Sequence, residues 1–183
     1  MHHKAAAIMP RIQLQVDRDH NSPVVLVRLP DGQNAGIANQ RVYCQLRVGR
    51  DQKSHQSVVD TGAPTAVFPL AVWKRFPTDI RWLPFADGTS TKPATLAGRA
   101  FQYRFGLVTV RLFGREDTPT LPPVDVLAQF EQLDPANEQP LEAKHTIVGL
   151  QLGAIEGRYL VVHPDHTLAE RCEAWITDER PTA

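Results

Sequence analysis

The chain has 183 residues, a formal net charge of zero, 15 prolines and two cysteines, Cys44 and Cys172. The length suits one compact domain with its own core, and the absence of net charge argues against nucleic acid or an anionic membrane as a partner. Two distant cysteines are too few for a disulfide framework or a four-ligand zinc site, so both are expected as buried or partly buried free thiols. The proline content disfavours long helices and favours short strands joined by turns, which predicts an all-β domain.

Residues 1–10 contain one lysine but lack the apolar core of a secretory signal, and they are expected to form a flexible N-terminus. The longest apolar stretches, such as Val24 to Val27 and Tyr159 to Val162, have the length of a strand. They are far shorter than the roughly 20 residues that span a bilayer. We therefore expect a cytoplasmic protein without a membrane segment.

The first part of the chain predicts a series of short strands. Arg11 to Val16 alternates apolar and polar residues with the period of a half-buried strand. Val24 to Val27 is a second strand, and Leu29 to Gly36 has the composition of a turn. The alternation from Val42 to Val48, followed by a return over Gln56 to Val59, predicts a hairpin.

The stretch from Ser57 to Phe68 places one acid, Asp60, between two apolar segments of high strand propensity. The first strand ends at Val59, the small residues Thr61 to Ala63 form a sharp turn, and a second strand runs from Thr65 to Phe68. A carboxylate on such a turn is held rigidly and still reaches a cleft, so Asp60 is the predicted catalytic group. An Asp-x-Gly turn alone is ordinary turn chemistry, and the assignment depends on what surrounds it.

Pro69 is suited to the first position of a short helix that carries Leu70, Trp73 and Phe76 on one face. The segment from Ala86 to Pro93 is polar and resembles a mobile loop. Further strands and loops are predicted in this order: a strand from Thr95 to Tyr103, a strand from Leu107 to Leu112, a loop over 114–123, a strand from Val124 to Ala128, and a loop over 134–142.

A second informative stretch, His145 to Leu150, places two β-branched residues, Ile147 and Val148, before a glycine, Gly149. A glycine in a strand often marks a site where another backbone approaches closely. The pattern repeats the form of Val58 and Val59 before the turn of Asp60. A helical turn over Gln151 to Gly157 and a last strand over Arg158 to His163 follow it.

The tail after residue 166 fits two structures. Thr167 and Glu170 form a capping box and the apolar residues follow helical spacing, so a helical extension over 167–183 is the preferred prediction. In the alternative, a turn at His163 to His166 is followed by a returning strand over Thr167 to Arg171. The two histidines of that turn have a spacing seen in metal sites but lack a convincing further ligand, so no metal site is predicted.

The stretch around Asp60 and the strand at Ile147 to Gly149 resemble the catalytic loop and its supporting strand in single-domain, retropepsin-like aspartic peptidases. The resemblance implies an all-β, closed retropepsin-like barrel over residues 11–166, with one or two short helices and no cofactor. It also implies a role for each residue of the motif: Thr61 bonds across a twofold axis, Gly62 donates its N–H to the carboxylate, Ala63 leaves the cleft open, and Ile147, Val148 and Gly149 support the turn.

The chain contains one Asp-Thr-Gly, whereas peptide hydrolysis by this chemistry needs two carboxylates that share a proton. One carboxylate activates a water, and the other hydrogen-bonds to the peptide carbonyl oxygen. A twofold axis must then supply a second Asp60, so we expect a homodimeric aspartic endopeptidase acting on peptides or proteins. The alternatives are a noncatalytic dimerisation or peptide-binding module of the same fold, and an enzyme that cuts only its own precursor.

The family also implies a flap hairpin that closes over the cleft. The preferred tip is the segment of Asp87, Gly88 and Thr89, and the turn at Ala97 and Gly98 is the second choice. Leu150-Gln151 stands where retroviral members usually have a polar pair that ties the dimer together. The dimer contacts of this chain are therefore expected to differ from theirs.

Overall fold

A computed structural model describes residues 11–18, 23–37, 39–96, 99–114, 121–132, 146–149, 155, 157–164, 172–178 and 180. Several predicted features lie outside these residues: the N-terminus 1–10, the turn at Ala97 and Gly98, the loop 134–142, most of the loop 114–123, Leu150, most of the turn from Gln151 to Gly157, and His166.

The described chain is mostly β-strand, which confirms the all-β prediction. Its helices are α1, Leu70–Trp73, and a 3-10 turn, Pro77–Asp79. Neither is long enough to cross a membrane. The strands are β1 Arg11–Arg18, β2 Val25–Arg28, β3 Asn34–Ile37, β4 Gln40–Val48, β5 His55–Val59, β6 Ala66–Phe68, β7 Arg81–Leu83, β8 Lys92–Leu96, β9 Arg99–Phe113, β10 Val124–Gln132, β11 Thr146–Val148, β12 Tyr159–Pro164 and β13 Cys172–Thr177.

Eleven strands belong to one sheet with the order β12-β13-β1-β4-β5-β11-β6-β10-β9-β7, and β8 pairs with β9 beside this path. A further pairing of β4 with β9 closes a ring through β5, β11, β6 and β10. The strands β2 and β3 form a separate two-stranded sheet. The closed ring surrounds the core and brings strands from distant parts of the sequence together.

The core follows from the alternation of apolar residues along the ring strands. On β4 the buried side chains are Cys44, Leu46 and Val48, and β9 and β10 contribute in the same way. The free thiol of Cys44 is confirmed as buried, and burial raises its pKa to about 12. The helix α1 is tied to β10, because the Leu70 N–H donates to the buried Glu131 carboxylate at 2.6 Å.

The helical tail is wrong for the residues that the structure describes there. β13 lies between β1 and β12, with Ile176 opposite both Ile12 and Leu160, so this part of the tail belongs to the sheet. Ala174 and Ile176 are fully buried, which is the period of a strand. The antiparallel β12 and β13 match the hairpin alternative, and the returning strand predicted over Thr167 to Arg171 lies outside the described residues.

The single strand predicted over Thr95 to Tyr103 is instead the end of a hairpin. β8 and β9 are antiparallel, and their last pair is Leu96 with Arg99. β9 continues over 15 residues and includes the separately predicted strand at Leu107 to Leu112. Part of the predicted turn at Leu29 to Gly36 is likewise strand, because β3 begins at Asn34.

Candidate active site

The turn that carries Asp60 crosses the end of a strand from a distant part of the chain. β11 runs parallel to β5, with Val148 opposite Val59. It also runs antiparallel to β6, with Ile147 opposite Val67. The chain therefore passes from β5 to β6 over the end of β11, which lies between them.

Backbone hydrogen bonds fix the shape of this turn. The Asp60 N–H donates to the Val148 carbonyl at 3.0 Å, which links the turn to β11. The Gly62 N–H donates to Asp60 Oδ1 at 2.9 Å, and the Ala63 N–H donates to the Asp60 carbonyl at 3.3 Å. In the described part of the chain the other carboxylate oxygen, Oδ2, receives no hydrogen bond. One oxygen is held in place and the other is available.

The turn lies at the surface of the single chain. Asp60 and Ala63 are half-buried, whereas Thr61 and Gly62 are exposed. The strands on either side are buried, as Val59 and Ala66 show. The turn thus presents a partly shielded carboxylate and an exposed backbone on a rigid base.

Gly149 follows β11 and packs directly against the turn. A Cβ atom added there would lie 2.5 Å from the Thr65 carbonyl oxygen and 2.7 Å from that of Ala63. Real Cβ atoms do not approach backbone oxygens so closely, so only glycine fits without a shift of the backbone. The close approach predicted from the sequence at this glycine is confirmed.

Sequence reasoning missed one residue that braces the turn. Gln129 on β10 donates from Nε2 to the Oγ1 atom of buried Thr65 at 3.2 Å. β10 lies beside β6 in parallel, with Gln129 opposite Val67. A polar residue on a strand that alternates apolar and polar positions carries no local signal of such a contact, because the pairing of β10 with β6 is long-range.

Asp87, Gly88 and Thr89 lie in a closed turn between β7 and β8. The N–H and the hydroxyl of Thr89 donate to Asp87 Oδ1 at 3.0 and 2.7 Å. The ion pair with Lys92 is the main reason that the pKa of Asp87 lies below its usual range. Since β7 and β8 both pair with β9, this turn projects from the middle of β9 rather than from the end of the hairpin.

Aromatic side chains line the hairpin of β8 and β9. The ring of Tyr103 lies 5.3 Å from that of Phe105, 5.7 Å from that of Phe85 and 6.1 Å from that of Phe101, measured between centroids. The tilted and edge-to-face contacts are favourable geometries for aromatic pairs. They join the turn at Phe85 to β9 and stiffen the part of the hairpin nearest the core.

The chain matches no model of a known protein family, and no curated protein is similar to it. Over the residues that the structure describes, no group of three or more His, Cys, Asp or Glu side chains is placed to hold a metal ion.

Proposed function

We propose that the protein is a retropepsin-like aspartic endopeptidase that is active as a homodimer. The observation that carries the proposal is the position of β11 between β5 and β6, with Gly149 packed on the turn that bears Asp60. An ordinary solvated Asp turn needs no strand from elsewhere in the chain beneath it. Here a distant strand fixes both ends of the turn, as expected for a carboxylate that must be held within a fraction of an ångström.

The chemistry requires two Asp60 side chains, one from each chain. Like charges at such a short distance do not both ionise, so the pair holds one proton. The ionised carboxylate takes a proton from a water that attacks the peptide carbonyl. The protonated carboxyl hydrogen-bonds to the carbonyl oxygen and stabilises the charge that develops there. The Gly62 N–H holds one oxygen of each carboxylate in place during these steps.

The exposed surface of the turn supports the requirement for a second copy. Thr61 and Gly62 are exposed in the single chain, and the sequence contains only one Asp-Thr-Gly. A twofold axis beside the two turns would bring the carboxylates together. In that arrangement Thr61 bonds to the turn of the partner.

We assign the flap to the hairpin of β8 and β9 instead of to the segment of Asp87, Gly88 and Thr89. A flap needs two paired strands that close over an extended substrate, and these two strands are antiparallel up to Leu96 and Arg99. The residues at its end are then 97 and 98. The aromatic contacts of Tyr103 hold the other end of the hairpin to the body of the protein.

The test is cleavage of a peptide library by the wild type, Asp60→Asn and Asp125→Asn from acidic to neutral pH, with and without a statine-type inhibitor. Asp125 is an exposed carboxylate on β10 that accepts a hydrogen bond from Thr109, so its variant controls for the loss of one charge. We expect Asp60→Asn to lose at least about 100-fold in activity and Asp125→Asn to retain it.

Cleavage that survives Asp60→Asn would exclude the mechanism. A wild type that forms a stable dimer but cuts no peptide would favour the noncatalytic module of the same fold. Sedimentation of all three proteins separates this outcome from a failure to dimerise.

A further inference from the structure

The hairpin of β2 and β3 exposes an apolar surface that the rest of the described chain leaves uncovered. Every residue from Pro23 to Asn34 is exposed. Leu26 is 72% exposed and Val25 is 56% exposed, with Val24, Val27 and Leu29 also among the exposed large apolar residues. Such a concentration of exposed apolar side chains marks an interaction surface.

Both faces of this hairpin are apolar. Because successive side chains of a strand point to opposite faces, Val25 and Val27 lie on one face and Leu26 lies on the other. The residue opposite Leu26 on β3 is Gly36, which has no side chain to cover it. A two-stranded hairpin alone is only marginally stable in water, so this one is expected to pack against another surface.

The hairpin emerges beside the turn of Asp60. It is inserted between β1 and β4, whose last pair before the insertion is Arg18 with Gln40. Two residues further along β4, Val42 pairs with Val59, the residue that precedes Asp60. The base of the hairpin and the Asp60 turn are therefore at the same end of neighbouring strands.

The size and charge of the available surfaces favour a second copy of this chain as the occupant. The exposed part of the turn, Thr61, Gly62 and Pro64, is small compared with the 20 to 30 residues per side of a typical stable interface, roughly 800 Å². Between Pro23 and Ile37 the only charged side chains are Arg28 and Asp31, which balance each other. A twofold axis near the turn would bring the apolar hairpins of both chains into one interface.

We propose that the hairpin of β2 and β3 is a dimerisation arm that packs on a second copy of the chain next to the paired Asp60 turns. The inference deepens the proposed function, because it rests on the homodimer required there. The arm would supply the apolar interface area that the small Asp60 turns lack. It also accounts for an insertion that the ring of strands does not need.

The test compares Val25→Lys and Leu26→Lys with Val162→Lys by analytical ultracentrifugation over a range of concentrations. Val162 is 47% exposed on β12, which is separated from β4 by β13 and β1 in the sheet, so its variant carries the same change at a distant site. We expect the dimer dissociation constant to rise at least about tenfold in both arm variants and to stay unchanged in Val162→Lys. Circular dichroism establishes that each variant is folded.

Peptide cleavage by the same proteins separates the arm from the proposed function. An arm variant whose dimer dissociation constant equals that of the wild type overturns the arm, whether or not the variant cuts peptides. If such a variant is dimeric but no longer cuts peptides, the hairpin contacts substrate and not the second chain. If the wild type is dimeric but cuts no peptide, and the arm variants dissociate, the dimerisation arm is supported and the peptidase proposal is rejected.

Discussion

At the scale of single residues, Gly149 shows how closely the candidate site is built. A Cβ atom at this residue would collide with the carbonyl oxygens at both ends of a short stretch, Ala63 to Thr65. The same stretch begins three residues after Asp60, so a shift of Gly149 moves the carboxylate. The glycine therefore links the packing of the core to the position of the acid.

We predict that Gly149→Ala lowers the free energy of unfolding by roughly 1–3 kcal/mol or more, because the new methyl group meets backbone atoms that cannot move aside. Gly32→Ala is a useful comparison, since Gly32 has a positive φ of 85° but no atom within 4 Å of an added Cβ. Urea unfolding of both variants measures the difference. An equal or smaller loss at Gly149 would contradict the close packing.

At the scale of elements, the β8 and β9 hairpin depends on a small set of aromatic contacts. Tyr103 lies opposite Lys92, the first residue of β8, and its ring contacts Phe85 and Phe105. Removing the ring leaves the backbone pairing in place but takes away the packing that orients it. The backbone hydrogen bonds between β8 and β9 should then open more often.

We predict that Tyr103→Ala speeds amide hydrogen exchange over 94–96 and 99–102 without changing exchange in β4 or β10. If the hairpin is the flap, the catalytic efficiency also falls while the dimer persists. Tyr159→Ala on β12 is the control, because Tyr159 is 41% exposed and lies elsewhere in the sheet. Unchanged exchange in the hairpin of Tyr103→Ala would contradict the role of the ring.

Local patterns predicted the elements well where one face of a strand is buried. The alternation in β1, β4 and β10 and the apolar pairs before Asp60 and before Gly149 are readable in the sequence, because local apolar patterns report burial. The tail was misread because Leu168, Cys172, Trp175 and Ile176 fit helical spacing. Its pairing with β1 is a long-range contact that no local pattern contains, whereas its pairing with β12 corresponds to the hairpin alternative. The contact of Gln129 with Thr65 escaped prediction for the same reason.

At the scale of the whole molecule, an ion cluster joins the turn after β4 to the chain after α1. The Arg75 guanidinium donates to Asp51 from Nε at 3.0 Å and from a terminal nitrogen at 3.2 Å. His55 Nε2 lies 3.1 Å from the same carboxylate. The hydrogen bonds from Arg75 are the main reason that the pKa of Asp51 lies well below its usual range. The cluster holds the β4 and β5 hairpin, and hence the strand before Asp60, against α1.

The lowered pKa makes the stability that Asp51 contributes depend on pH. The ionised carboxylate stabilises the folded chain above the unfolded pKa of about 3.9, and this contribution is lost as the pH falls through the folded pKa. We predict that Asp51→Asn melts at a lower temperature than the wild type near neutral pH. The difference in melting temperature between the two proteins, followed by circular dichroism, should narrow below about pH 4. A gap that stays constant down to about pH 2 would contradict the linkage.

The central claim is that each active site takes one Asp60 from each of two chains, and subunit mixing tests it most directly. Wild type is mixed with increasing amounts of Asp60→Asn, allowed to exchange subunits, and assayed for peptide cleavage per wild-type chain. Random pairing of equal amounts leaves about one quarter of the dimers with two wild-type chains, so activity per wild-type chain falls to about half and continues to fall with excess variant. Activity per wild-type chain that is independent of the amount of Asp60→Asn, with mixed dimers present, would contradict the shared site.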